Sequence, residues 1–104
     1  PVAQTMSETV IIPAGVGVPG CEETNECYLP PSLTIGTGTT VTWENIDTAA
    51  HLATSGTPSG GPDGLFDSGM IMAGGTFEHE FSENGEFEYY CLVHPWMVGT
   101  VTVE

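Results

Sequence analysis

The chain has 104 residues, with 14 Asp and Glu, neither Lys nor Arg, and a formal net charge of −14. With no cationic side chain to neutralise phosphates or meet anionic lipid, nucleic acid and the membrane surface are excluded as partners. The charge suits a basic protein partner or a salty medium that screens self-repulsion.

The length fits one domain, residues 1–104, around one small core. No stretch is long and apolar enough for a membrane-spanning helix. Residues 1–4 lack the charged and apolar regions of a leader, so a mature, processed chain is expected, such as one trimmed from an anchored precursor.

No helical period is sustained. The 14 Gly and 8 Pro punctuate short apolar runs, which predicts an all-β sandwich or barrel. Residues 5–12 form the first strand, stopped by Pro13, and residues 14–20 a loop. Cys21 and Cys27 bracket a short acidic loop. They are two free thiols or a disulfide; the disulfide is the reading adopted, and it implies an oxidising, extracytoplasmic compartment. Residues 28–35 read as an edge strand, because Pro30 and Pro31 cannot donate ladder hydrogen bonds.

Residues 39–44 alternate, with Thr39, Val41 and Trp43 on one side, and Trp43 reads as core. Residues 45–64 read as loop, since 55–64 is too rich in Gly and Pro for a regular element. A short strand follows at 65–68. Met70 and Met72 read as flexible packing rather than as a metal-handling patch. Residues 76–81 put Phe77, His79 and Phe81 on one face and Glu78 and Glu80 on the other. Asn84-Gly85 signals a hairpin, residues 86–90 run into Cys91, and 98–103 form the last strand. Glu78, Glu80, Glu83, Glu86 and Glu88 read as a solvated hairpin face, with docking of a basic partner as the alternative.

Cys91, His94 and Met97 stand three residues apart. A thiolate, an imidazole and a thioether make a soft donor set that suits copper far better than magnesium or calcium. Zinc is the competing ion, but it gains little from a thioether. A four-donor copper set needs a second histidine, and His51 and His79 are the upstream candidates. His79 shares its strand face with two phenylalanines and reads as a core or rim residue.

The run Cys91-x-x-His94-Pro95-Trp96-Met97 followed by residues 98–103 resembles the C-terminal ligand loop of the cupredoxins, with the short spacing of the amicyanin-like members. Residues 38–45 followed by Ala49-Ala50-His51 resemble the segment that delivers their first histidine, and residues 77–90 the strands that lead into the cysteine. The resemblance implies a Greek-key β-sandwich or barrel of about seven to eight strands. It implies one copper ion held by His51, Cys91 and His94 in the plane and Met97 on the axis. The function implied is a type 1 copper protein that carries single electrons between redox protein partners, outside the cytoplasm. Electrons would pass through the edge of His94, with Pro95, Trp96, Leu52 and Phe66 as an apolar docking rim; packing of Trp96 over the copper is the alternative for that residue. Two other functions compete: a redox enzyme with an open axial position acting on nitric oxide or nitrite, and a copper chaperone or store.

Two positions depart from the pattern. Leu52 stands where many cupredoxins carry an Asn that braces the loops, so bracing must come from elsewhere. Val93 replaces a proline, and its N–H, with that of Leu52, implies two hydrogen bonds to the Cys91 sulfur.

Overall fold

The structure is a computed structural model that describes residues 7–104. Thr5 and Met6, expected in the first strand, lie outside the described residues. Eight strands form two sheets: β1 (Ser7–Ile12), β2 (Ser32–Ile35), β3 (Thr39–Asn45), β4 (Thr54–Thr57), β5 (Gly61–Asp67), β6 (Thr76–Phe81), β7 (Gly85–Cys91) and β8 (His94–Val103). One sheet runs β1-β3-β6 and the other β2-β8-β7-β4-β5. The expected all-β sandwich is the fold that forms. Cys21 and Cys27 are joined by a disulfide, and a single turn of 3₁₀ helix spans Cys21–Glu23 within that loop.

Period-two alternation builds the core. In β3 the side chains of Thr39, Val41, Trp43 and Asn45 are buried and Glu44 is exposed. Trp43 is fully buried. Its indole lies 5.6 Å from both Phe66 and Phe77 and edge-on to Tyr89 at 5.2 Å, measured between ring centroids. Gly99, opposite Tyr89 in the ladder, leaves room for that ring: a Cβ there would stand 2.4 Å from the tyrosine Cζ.

Three expectations are corrected. Residues 55–64 are not a loop; they contribute to β4 and β5, an antiparallel pair with a bulge between Thr54 and Gly56. Pro62 is tolerated because β5 is the sheet's edge, where a missing N–H goes unneeded. Gly56, at φ 126°, allows a crossing so close that a Cβ would stand 2.2 Å from the Gly61 carbonyl oxygen. Second, Asn84-Gly85 does not close a hairpin. β6 pairs with β3, whereas β7 pairs with β8 and β4, so the chain changes sheets there. The reason is burial: Phe81 and Phe87 meet at 5.5 Å from opposite sheets, and a flat hairpin would separate them from that shared core. The exposed Glu78 and Glu80 therefore belong to one sheet and Glu86 and Glu88 to the other, instead of forming one hairpin face. Third, residues 28–31 precede the edge strand: Tyr28 is fully buried, Leu29 bridges to Ile11, and the edge strand β2 begins at Ser32.

Candidate metal centre

The strand β7 ends at Cys91. Leu92 and Val93 make a two-residue turn, and His94 opens β8 directly opposite the cysteine. The ladder then slips. The next pair is Tyr90 with Val98, which leaves Pro95, Trp96 and Met97 without partners on β7. Pro95 has no N–H to contribute at that point. The slip leaves Pro95 exposed and Met97 fully buried.

His51 comes from the segment between β3 and β4. Its backbone is bonded twice to Ile71, His51 N–H to the Ile71 carbonyl at 3.1 Å and the reverse at 2.7 Å. The bracing that Leu52 cannot supply comes from Asn45. Its Nδ2 donates to the carbonyls of Ala49 (2.8 Å) and Ile71 (2.9 Å), and its Oδ1 accepts from the Asp47 amide (2.9 Å).

These two segments bring His51 Nδ1 to 3.1 Å from His94 Nδ1, and Cys91 Sγ to 3.7 Å from His94 Nδ1. One donor atom from each of the three residues lies within 4.8 Å of the others. Both imidazoles present Nδ1 to the same point. The Nε2 of His51 is engaged with Asp47 Oδ2 at 2.7 Å. A carboxylate accepts there, so in the neutral ring Nε2 carries the proton and Nδ1 keeps the lone pair. Two such nitrogens and a thiol, on a loop that also carries the buried Met97, suit copper, and the group offers hard cations no carboxylate.

Residues 18–104 match the family described as copper binding proteins, plastocyanin/azurin family. The chain belongs to that family. It is 34% identical over 93 residues to an amicyanin of Paracoccus versutus, covering 89% of this chain and 68% of that protein. Among solved structures it is similar to a purple cupredoxin from Nitrosopumilus maritimus, at TM-score 0.83 and 41% identity, covering 93% of this chain and 99% of the other. It is also similar to the reduced Cu(I) form of an amicyanin mutant, at TM-score 0.71 and 27% identity, covering 99% and 86%. The protein is a cupredoxin that takes one copper ion in a type 1 centre and carries electrons to and from redox protein partners. The nitrogen-oxide enzyme is not favoured by these findings.

The surroundings of Cys91 and His94 in this cupredoxin favour their metal-binding forms, whereas at His51 burial pulls the imidazole down but the contacts with Cys91 and Asp47 outweigh it and hold it above its ordinary range. Burial pushes the Cys91 thiol up, but its contact with His51 and the amides of Leu52, Val93 and His94 outweigh that and hold it below the usual thiol range. The Leu52 amide donates to the sulfur at 3.3 Å. The amides of Val93 and His94 also act on the sulfur as backbone hydrogen-bond donors, as the replacement of proline at position 93 implied. Burial pulls the His94 imidazole down, and positive charge on His51 pulls it further. Burial would raise Asp47, but the bond from His51 and the amides of Gly15 and Thr48 bring it below the ordinary carboxylate range.

Other expected residues fall elsewhere. His79 sits apart from the centre, half-buried between Phe66 (4.9 Å) and Phe81 (4.8 Å), as its strand face implied. Leu52 and Phe66 are buried and cannot form a rim. Leu52 is held inward because its amide faces Cys91 and its carbonyl accepts from the Tyr28 hydroxyl at 2.5 Å. The exposed apolar residues of the ligand turn are Leu92 and Val93 instead. Trp96 is partly buried, with its Nε1 donating to the Val16 carbonyl at 3.1 Å, so it packs over the loop. Cys27 Sγ, in the disulfide, lies 3.8 Å from the Trp96 carbonyl oxygen, so the disulfide loop packs against the ligand loop. Asp47 was not singled out in the sequence. In a chain with 14 acidic residues, one more carries no signal of its own.

Proposed function

We propose that His51, Cys91, His94 and Met97 would hold the copper, and that residues 1–104 act as one electron-carrying domain. The observation that carries this reading is the convergence of two Nδ1 atoms and one thiol sulfur from two braced segments. Bound copper supplies exchange of one electron between Cu(II) and Cu(I). The chain keeps the donors nearly still during that exchange. His51 is clamped by Ile71 and Asp47, Cys91 by Leu52, and the segment around His51 by Asn45. His94 is the donor that reaches the surface, so its imidazole edge is the port for electrons.

The decisive test is the visible spectrum with Cu(II). An intense thiolate-to-copper band that is lost in Cys91→Ser and ignores added nitrite or nitric oxide is the expected result. A band that shifts with those molecules would restore the open-site enzyme, and no intense band would overturn the ligand set.

The redox partner presents a basic docking surface. The support is a net charge of −14 with no cation to offset it. The rate of electron exchange with such a partner is expected to fall as salt rises from about 0.01 to 0.15 M, where the screening length shrinks from about 30 to 8 Å. A rate indifferent to salt would count against it. The work place is extracytoplasmic, supported by the Cys21–Cys27 disulfide. No helix of the described residues is long and apolar enough to cross a membrane.

A further inference from the structure

The segment from Gly69 to Gly75 runs beside the metal centre. Ile71 is 3% exposed, and its backbone is the partner of His51 in both hydrogen bonds of their bridge. Successive residues of an extended chain face opposite ways, so the neighbours of the inward Ile71 turn out together. Met70 is 55% and Met72 64% exposed. The packing role expected for them is therefore not the one they play. The segment is held by the bonds from Asn45 Nδ2 to the Ile71 carbonyl (2.9 Å), from the Gly74 amide to the Asn45 carbonyl (2.8 Å) and from the Gly75 amide to the Met72 carbonyl (2.8 Å). Two thioethers thus stand two residues apart, on one side of a fixed segment, one backbone bridge away from a copper-binding histidine.

Thioethers are soft donors that select Cu(I) and leave hard cations alone. Three of the copper donors are enclosed, His51, Cys91 and Met97 all being 0% exposed, and His94 alone reaches the surface. A site beside them can hold an ion before it enters, and the chain's negative field concentrates cations at its surface. We propose that Met70 and Met72 form a surface Cu(I) capture site that passes the ion to the centre formed by His51, Cys91 and His94. The transfer exchanges thioether for imidazole and thiolate, leaves the ion as Cu(I), and releases the Cys91 thiol proton to solvent. The destination rests on the ligand set proposed above, while capture rests on the methionine pair alone.

The test uses protein with ¹³C-labelled methionine methyl groups, loaded with copper, reduced, and titrated with Ag(I) as a redox-inert probe of Cu(I) chemistry. One further equivalent is expected to move the Met70 and Met72 methyl signals together and leave Met97 in place. The variant Met70→Leu/Met72→Leu keeps volume and apolarity. It is expected to lose that equivalent and to take copper from Cu(I)–bicinchoninate about fivefold more slowly, because delivery from an adjacent site is effectively intramolecular. Its final visible band after oxidation should match the parent's. Stationary methyl signals, movement of one without the other, or an unchanged loading rate would overturn the capture site. The same methyl shifts are expected in Cys91→Ser apo-protein, so failure of the central site and failure of the pair are read separately.

Discussion

Replacing Asp47 with Leu is expected to weaken copper retention about 10- to 100-fold, the usual cost of removing a partner that orients a metal-binding histidine. Asp47 Oδ2 accepts from His51 Nε2 at 2.7 Å, and His51 is fully buried. Leu has the branched outline of Asp but no acceptor, so the Nε2–H is left without a partner inside the protein, at a cost of about 1–3 kcal/mol. The ring also loses the bond that fixes its tautomer, with Nδ1 free for the ion. A second effect is electrostatic. A buried negative charge behind the imidazole favours Cu(II) over Cu(I), so its removal raises the reduction potential. The isosteric Asp47→Asn separates the two. It can still accept from Nε2, so copper should be retained, while the lost charge should still raise the potential. Competition with a chelator and redox titration read both quantities. Unchanged retention and potential in Asp47→Leu would show that His51 is positioned by its backbone clamp to Ile71 alone.

Trp43→Ala is expected to destabilise the metal-free protein by about 3–5 kcal/mol. Small domains are stable by about 5–15 kcal/mol in total, so this one change removes a large share. The indole is fully buried at the meeting point of the two sheets, against Phe66, Phe77, Phe81 and Tyr89. The loss reaches the copper centre through a short path. Tyr89 packs on Tyr28 at 4.7 Å, the Tyr28 hydroxyl holds the Leu52 carbonyl, and the Leu52 amide holds the Cys91 sulfur. A weaker or shifted thiolate band should therefore accompany the fall in stability. Trp43→Phe should cost much less, because it keeps an apolar ring in place against Phe66, Phe77 and Tyr89. Urea midpoints of the two variants compare them directly. Equal, small losses for Ala and Phe would mean that the core closes over the gap.

Local chemistry accounts for much of what the chain revealed before folding. Strong alternation over residues 39–44 and 76–81 forced one face of each strand into a core, and both strands form there. The donors Cys91, His94 and Met97 are close in sequence, so a short turn is enough to gather them, and their softness alone pointed to copper. The resemblance to the cupredoxins supplied the more distant His51. The Gly- and Pro-rich residues 55–64 misled because their strands depend on an edge position and a bulge, which exist only once neighbouring strands are in place. The Asn84-Gly85 signal described a turn correctly suited to a hairpin, but the demand to bury Phe81 and Phe87 between sheets overrode it.

The sequence by itself determined the class of fold, the soft donor set and the charge that any partner must meet, because each follows from side-chain type and short-range spacing. Tertiary structure alone decided that Asp47 backs His51, that Asn45 braces the segment around His51, that Leu52 turns inward with its amide bonded to the sulfur, and that Met70 and Met72 turn outward beside the centre. Those are choices of direction. A polar or apolar side chain can satisfy itself in several ways along an isolated strand, and which way it points is settled only when partners from distant parts of the chain arrive within hydrogen-bonding or packing distance.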